Sequence, residues 1–480
     1  MAAGERRDER RDELKGGVLS LDELRKLVER GEVDTVLVVF PDLYGRFLGK
    51  RVPGGFFLEA VAEGGVHACN YLLTVDMEMD VVAGYRFASW EQGYGDFHCV
   101  PDLATLRRLS WLDRSAQVIC DLEMAGEPVA VAPRTLLRRQ VERAAAAGYR
   151  AMGASELEYY LFRDGYETAA AKRFEGLETF GGYIEDYHML QGTRTEGFHG
   201  ALRRHLEASG VPVESTKGEW GPGQHELNIR YCDVLEMADR HALLKQAAKE
   251  IAIAQGLAVT FMAKWRSDLA GSSMHVHLSL WDADGERPLF AGDDAGDRGA
   301  DHGQAPAPLA ASDEFRWFLG GWLRHARAIA PFYAPYPTSY KRYVFQSWAP
   351  TRLAWSLDNR TSGFRVLGAG PALRIECRMP GADANPYLAF AASLAAGLDG
   401  IERRIEPPPP FAGDVYAAEE LPRVPASLPE AVAEMEASEM LRAAFGEEVV
   451  AHYAHFFRTE QAKHDAVVTS WERERYFERA

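Results

Sequence analysis

Hydrophobic and polar positions along this chain follow two rhythms, and each change of rhythm marks an element. Ser20 stands before LDELRKLVERG, whose apolar residues recur at helical spacing as far as Gly31. A capped helix is predicted there. TVLVVF reads as a buried strand, Pro41-Asp42 with Gly45 as a turn, and FLGKRV as the partner strand. Strands and short helices are predicted as far as Leu122, where AGEP makes a break. From Pro133, RTLLRRQVERAAAAGY returns to helical spacing with a glycine stop. Further helices are predicted near residues 233–255, 314–330, 386–401 and 428–445. Residues 291–313, rich in Ala, Asp and Gly, read as a long surface loop, and EPPPP at 406–410 as a stiff connector. The pattern divides into a charged mobile arm (1–16), a small N-terminal domain (17–130) and a larger domain (131–480).

Four predicted strands carry an unusual filling. In ASELEYYLF, Glu156 and Glu158 share one face, because strand side chains alternate. In GQHELNIRY the shared face holds Glu226, Asn228 and Arg230, and in SMHVHLSL it holds His275, His277 and Ser279. In LRIECRMP it holds Arg374, Glu376 and Arg378. One such strand alone reads as a polar face turned to water. Four filled with carboxylates, imidazoles and guanidiniums describe a concave sheet that binds cations and a polyanion. Glu156, Glu158, Glu219, Glu226 and Glu376 supply hard oxygens and His275 one nitrogen, a set suited to magnesium or manganese bridging a nucleotide's phosphates. Glu219 and Glu226 flank WGPGQH, so a hairpin would bring both to one metal. Arg342, Arg360, Arg365, Arg374 and Arg378 offer forked donors for phosphate or carboxylate. There is no P-loop motif and no convincing G-x-G-x-x-G opening a helix.

Composition narrows the class. Of 480 residues, 47% are hydrophobic and 26% charged, which suits a globular protein with a large core. Lys+Arg number 54 against 71 Asp+Glu, a net charge of -17. That acidity repels phosphate backbones and anionic lipid, so neither nucleic acid nor membrane is expected as a partner. The opening MAAGERRDERRDELKGG lacks the apolar core of a secretory signal. Five scattered cysteines without a C-x-x-C pair fit reduced thiols. A cytoplasmic enzyme is expected.

The motif-bearing stretches resemble glutamine synthetase. They are SELEYYLF, KGEWGPGQHE, FMAKW with AGSSMHVHLSL, SYKRY with AWSLDNRTSGFR, and RIECRMPGADANPYLAFAASLAAGLDGI. Order and spacing match from Pro133 to Arg404, with a weaker match before them. The resemblance implies an α+β fold, with a small N-terminal β-grasp-like domain and a catalytic domain built on an antiparallel β-barrel core. It implies Glu158, Glu219 and Glu226 on one metal, and Glu156, His275 and Glu376 on another. Glu214, His277, Ser279 and Arg374 fall at nucleotide positions, while Gly271, Arg342 and Arg378, with Glu158 nearby, fall at glutamate positions. Arg360 and Arg365 match residues that stabilise the phosphate in transfer. Further implications are ATP as co-substrate, two or three magnesium or manganese ions per site, and stacked rings, usually a dodecamer, with active sites between neighbours.

Departures fall on the nitrogen side. The family carries a flap glutamate before its Ala-Pro, where this chain has Trp348; the twelve-residue step from Trp348 to Arg360 fixes the alignment. Its ammonium-binding aspartate falls near Ala68, and Ala270 stands where a loop Asn of the glutamate site would be. Losing both carboxylates removes the attraction and the base that suit ammonium, and Trp348 offers a π face to an alkylammonium. The reading is a glutamate–amine ligase, with ethanolamine slightly ahead of polyamines. An ammonia-using synthetase and a silent family member are the alternatives. Asp76, Glu78, Asp80 or Glu91 would be the second anchor a polyamine needs, against a reading as surface charge. Tyr416, in a loop resembling one adenylylated in some bacterial members, reads as an ordinary exposed tyrosine because its neighbours differ.

Overall fold

The computed structural model describes residues 17–292 and 310–480. The predicted arm at 1–16 and most of the predicted loop at 291–313 lie outside the described residues. Helix α1 (Leu21–Glu29) opens on a capping box, in which Ser20 accepts from the Glu23 N–H and the Glu23 carboxylate reaches back to the Ser20 N–H. It leads into β1 (Thr35–Pro41), the buried run read from the sequence. β1 pairs antiparallel with β2 (Phe47–Pro53) and parallel with β5 (Ser115–Met124). β4 (Asp96–Arg108) joins β5 to the edge strand β3 (Val66–Cys69), giving the order β2-β1-β5-β4-β3. The break at AGEP is a tight turn through Ala125 (φ 53) and Gly126 (φ 81), which folds β6 (Glu127–Pro128) back on β5.

The second sheet is built around β7 (Tyr149–Phe162). Its nine strands include β8 (Val213–Gly218), β9 (Gln224–Ile229), β12 (Met274–Asp282), β13 (Trp355–Leu357), β14 (Phe364–Leu367) and β15 (Arg374–Cys377). They run in the order β13-β14-β15-β12-β7-β9-β8, while β10 (Cys232–Asp233) and β11 (Ala258–Thr260) also pair with β7. All pairs but β13–β14 are antiparallel, and the sheet is barrel-like. One face is apolar: Leu157, Tyr159, Leu227, Val276, Leu278 and Ile375 are fully buried. They join one continuous core with helices α2 (Pro133–Ala146), α3 (Met189–Ala208), α4 (Val234–Ala254), α5 (Asp313–His325) and α6 (Pro386–Arg403). The fold is α+β, and no helix among the described residues is long and apolar enough to cross a membrane.

Two helical expectations need correction. The helix expected over 314–330 stops at His325, and a separate short helix covers Ala330–Tyr333. The helix expected over 428–445 is two, α7 (Leu428–Ala437) and α8 (Glu439–Phe445). Ser438 divides them: its hydroxyl accepts from the Leu441 N–H and caps the second, an alternative that serine offers the backbone. Sequence patterning also passed over α3, α9 (Glu447–Asp465) and α10 (Ser470–Tyr476). In α3 the glycines at 192, 197 and 200 blur the apolar stripe. In α9 the stripe of Val449, Val450, Tyr453, Phe456 and Phe457 is buried at helical spacing and was legible.

Candidate active site

Strand register assembles the charged face. Across β7, Glu156 lies opposite His275 on β12 and Asn228 on β9, and Glu158 lies opposite Glu226. Farther out, Lys217 of β8 faces Glu226. On the other side, Glu376 of β15 faces His277 of β12 and Arg365 of β14. Side chains of one parity line one face, so strands from distant parts of the chain share a single charged surface.

The first cluster is Glu158, Glu219 and Glu226, each offering an oxygen, all within 4.8 Å of one another. Glu158 accepts from the Ser273 N–H (2.8 Å) and Oγ (2.6 Å), and from Gln224 Nε2 (3.2 Å). Asn228 Nδ2 donates to Glu226 at 3.0 Å. Burial and Glu219 push the Glu158 carboxyl up. Burial, Glu156 and Glu219 push Glu226 well up. Lys217, ion-paired to Glu219 and held above its ordinary value by Glu226 and Glu219 despite burial, is the cation that relieves this repulsion. An all-oxygen set whose mutual repulsion one lysine relieves only in part fits a hard divalent cation such as magnesium or manganese.

The raised carboxyls have a measurable consequence. Because Glu158 and Glu226 titrate above their unfolded values, the folded protein binds the extra protons in that window. Metal-free stability therefore falls as pH rises through it. A divalent cation removes that repulsion, so the rise in Tm on adding manganese should grow from about pH 5.5 to about pH 8. Thermal unfolding with and without metal measures it, and an equal shift at both pH values would contradict the assignment.

The second cluster holds both β12 imidazoles beside its two carboxylates. Glu156, His277 and Glu376 are the trio with ligand atoms within 4.8 Å. His275 stands beside it: its Nδ1 lies 2.8 Å from Glu156 and 3.5 Å from Glu376. Both imidazoles project from the same face of β12, so each takes one Glu156 oxygen, His277 Nε2 at 3.1 Å. Burial raises the Glu156 carboxyl, but these two imidazoles outweigh it and hold the group well below the ordinary range. Glu376 is fully buried and bound by Arg378 Nη1 (2.6 Å) and Arg365 Nη1 (3.0 Å). Burial would raise it, yet Arg378 and the two imidazoles bring it below the ordinary value.

The remaining residues fall into three places. Arg342 is buried, with Nη2 donating to the carbonyls of Arg378 and Met379. Gly271 lies against it: a Cβ there would meet Arg342 Cγ at 2.5 Å and the Ala263 carbonyl at 2.6 Å, so only glycine fits. Glu214, His277, Ser279 and Arg374 all line one cavity of about 470 Å³ that Glu156 also borders. Tyr231 and Trp281, which sequence reasoning did not select, line it too. Arg360 is exposed and makes no ion pair among the described residues. Gln224 and Ser273 were also passed over, although they continue the same parity as Glu226 and His275. A larger cavity, about 730 Å³, lies beside Tyr44, Lys245 and Glu460; of the residues singled out from the sequence, Glu78 lines it.

On the nitrogen side, Trp348 is half-exposed with φ 65, and its carbonyl accepts from Arg378 Nη2 at 3.3 Å. Tyr416 is not exposed as expected: it is buried, with its hydroxyl donating to the Ala349 carbonyl at 2.8 Å. A neighbouring carbonyl, invisible in the sequence, claims it. Ala68 lies on edge strand β3, in the other sheet from the carboxylates. Of the four acids weighed as amine anchors, Asp76 is buried and accepts from the Glu78 and Asp80 N–H groups. Asp76 and Glu78 both pair with Lys463.

Comparison with known proteins agrees with this geometry. Residues 130–476 match the family described as glutamine synthetase, catalytic domain. The gamma-glutamylethanolamide synthetase GlnA4 of Streptomyces coelicolor is 46% identical over 462 residues, 96% of either chain. A glutamate–isopropylamine ligase of a Pseudomonas species is 37% identical, over 95% of this chain and 97% of that one. The solved structure titled apo GmaS without ligand superposes with a TM-score of 0.80 at 29% identity, covering 94% of this chain and 98% of that one. This chain belongs to the glutamine synthetase family.

Proposed function

We propose that this chain is an ATP-dependent ligase that joins the γ-carboxylate of L-glutamate to a small organic primary amine, ethanolamine ahead of polyamines. One observation carries the reading: the face of carboxylates, imidazoles and guanidiniums is complete, while an indole, Trp348, stands at the nitrogen-side loop in place of a carboxylate. The two similar ligases named for ethanolamine and isopropylamine support it. The ties of Asp76 and Glu78 to Lys463 take two candidate polyamine anchors out of use.

The chemistry divides over the face. ATP would occupy the cavity bordered by Glu214, His277, Ser279 and Arg374. Glu158, Glu219 and Glu226 would hold one divalent cation, and Glu156, Glu376 and a β12 imidazole another. When bound, these ions neutralise phosphate charge. Arg342, Arg378 and Gly271 seat glutamate with its γ-carboxylate toward the nucleotide. A carboxylate oxygen attacks the terminal phosphorus and ADP leaves. The amine nitrogen then attacks the carbonyl carbon of γ-glutamyl phosphate, the C–O bond breaks, phosphate departs and the nitrogen loses a proton. Arg360 and Arg365 stabilise the phosphate as its charge shifts. A second copy, in stacked rings of the family type, would bring Ala68 to the amine. The reaction belongs in the cytoplasm, where ATP and glutamate are supplied.

Phosphate release with ATP, magnesium and glutamate, run against ethanolamine, putrescine, spermidine, ammonium and a blank without amine, tests the reading. Ethanolamine should support turnover at least tenfold above ammonium, with the amide identified by mass spectrometry. Ammonium as the best substrate would restore the parent activity in its place. No turnover with any amine would mean a silent member.

A further inference from the structure

Two half-exposed indoles meet at the mouth of the site. Trp220 and Trp348, 45% and 47% exposed, stand with ring centroids 5.7 Å apart and planes at 62°. Each continues a functional element. Trp220 directly follows Glu219 of the first carboxylate cluster, in the hairpin between β8 and β9. Trp348 lends its carbonyl to Arg378, whose guanidinium also grips the buried Glu376. The pair thus spans the gap between the metal-ligand hairpin and the glutamate-seating arginine.

Both backbones are firmly placed. Hairpin residues Glu219 and Gly223 are bound to Glu185, through the Glu185 N–H to the Glu219 carbonyl (3.3 Å) and the Gly223 N–H to Glu185 Oε1 (2.8 Å). Gly221 cannot carry a side chain, because a Cβ would strike the Tyr160 ring at 2.6 Å. On the other loop, the Tyr416 hydroxyl holds the Ala349 carbonyl, and the Tyr416 ring stacks edge-on against Phe345 at 5.7 Å. Neither indole belongs to the buried core. Large aromatic faces left in solvent on a fixed frame form a platform for a ligand.

We infer that Trp220 and Trp348 together form the amine subsite, holding a small monocationic alkylammonium against the indole surfaces that this edge-to-face pair leaves in solvent. The inference rests on the ligase reading and gives it a second residue, outside the loop where the nitrogen-side departure lies. Indole is the strongest cation–π partner among the side chains, and alkylammonium charge, spread over its methylenes, suits such faces better than compact, strongly hydrated ammonium. The subsite selects by hydrocarbon and single charge; a second ammonium would find no carboxylate on these two residues.

The test uses the full-length enzyme with magnesium, comparing wild type with Trp220→Leu and Trp220→Phe. Each is assayed for kcat and KM with ethanolamine and with ammonium. Trp220→Leu should raise the ethanolamine KM about tenfold and lower the ethanolamine-to-ammonium ratio of kcat/KM by a similar factor, with Trp220→Phe between. Tetramethylammonium, which has no N–H and cannot react, should compete with ethanolamine in wild type and lose its grip in Trp220→Leu. An equal fall with both substrates would mark a packing role for the hairpin and overturn the subsite, as would an ethanolamine KM held within twofold. If Trp220→Leu does not fold, an unchanged ethanolamine KM and tetramethylammonium inhibition in Trp220→Phe overturn it. Failure of wild type to use any organic amine strikes the ligase reading instead, so the two failures are separable.

Discussion

Glu376→Ala should give a protein without measurable ligase turnover and with stability lowered by about 3–5 kcal/mol, the cost of breaking a buried ion pair from one side. Glu376 has no exposed surface and anchors two guanidiniums, Arg365 and Arg378, on opposite oxygens. Its removal leaves two buried cations facing each other and the imidazoles without their second carboxylate. Arg378 would lose the carboxylate that orients it, while Arg365 keeps its contact with Asp358. Glu376→Gln preserves volume and the capacity to accept hydrogen bonds but removes the charge, so it separates the two effects. It should recover part of the stability while remaining at least 1,000-fold down in kcat, since a neutral amide is a poor ligand for a hard cation. Urea unfolding and single-turnover phosphate release measure the two quantities. A Glu376→Gln enzyme within tenfold of wild type would exclude this carboxylate from metal binding.

The charged face was legible because its rule is local. Alternation along a strand has a fixed period, so Glu156, Glu158, Glu226, His275, His277 and Glu376 could be placed on faces before any pairing was known. Pairing itself is nonlocal. The order β15-β12-β7-β9 brings together residues from distant parts of the chain, and no periodicity encodes which strand lies beside which. The same limit applies to His275 and His277: both lie on the predicted face, and only pairing shows that both imidazoles meet Glu156 and that His275 also comes within 3.5 Å of Glu376. Lys217 was invisible for another reason. A lone lysine near a hairpin reads as solvated until Glu219 and Glu226 close around it. Tyr416 and Ser438 show the matching limit for single residues, since one carbonyl or one orphan N–H set their environments.

The nitrogen side follows the same logic and gives the largest change in specificity. Trp348→Glu should shift preference toward ammonium by about 100-fold in the ratio of kcat/KM values. Two effects add. Losing one indole face weakens the alkylammonium by about tenfold, and a new carboxylate, making a charged hydrogen bond worth about 1.5–3 kcal/mol, strengthens ammonium by about tenfold or more. The backbone tolerates the change: φ is already 65, the strain is present with tryptophan, and the carbonyl that meets Arg378 is not altered. A carboxylate here can also take the proton the attacking nitrogen must lose, so the gain should appear in kcat and not only in KM. Ala68→Asp alone should do less, because β3 lies in the other sheet from the carboxylates. The double variant should exceed either single one, and more than additively if both carboxylates hold the same ammonium. Competition assays with isotopically labelled ammonium and unlabelled ethanolamine in one tube read the ratio directly. A Trp348→Glu enzyme that keeps the wild-type ratio would place the amine away from this loop.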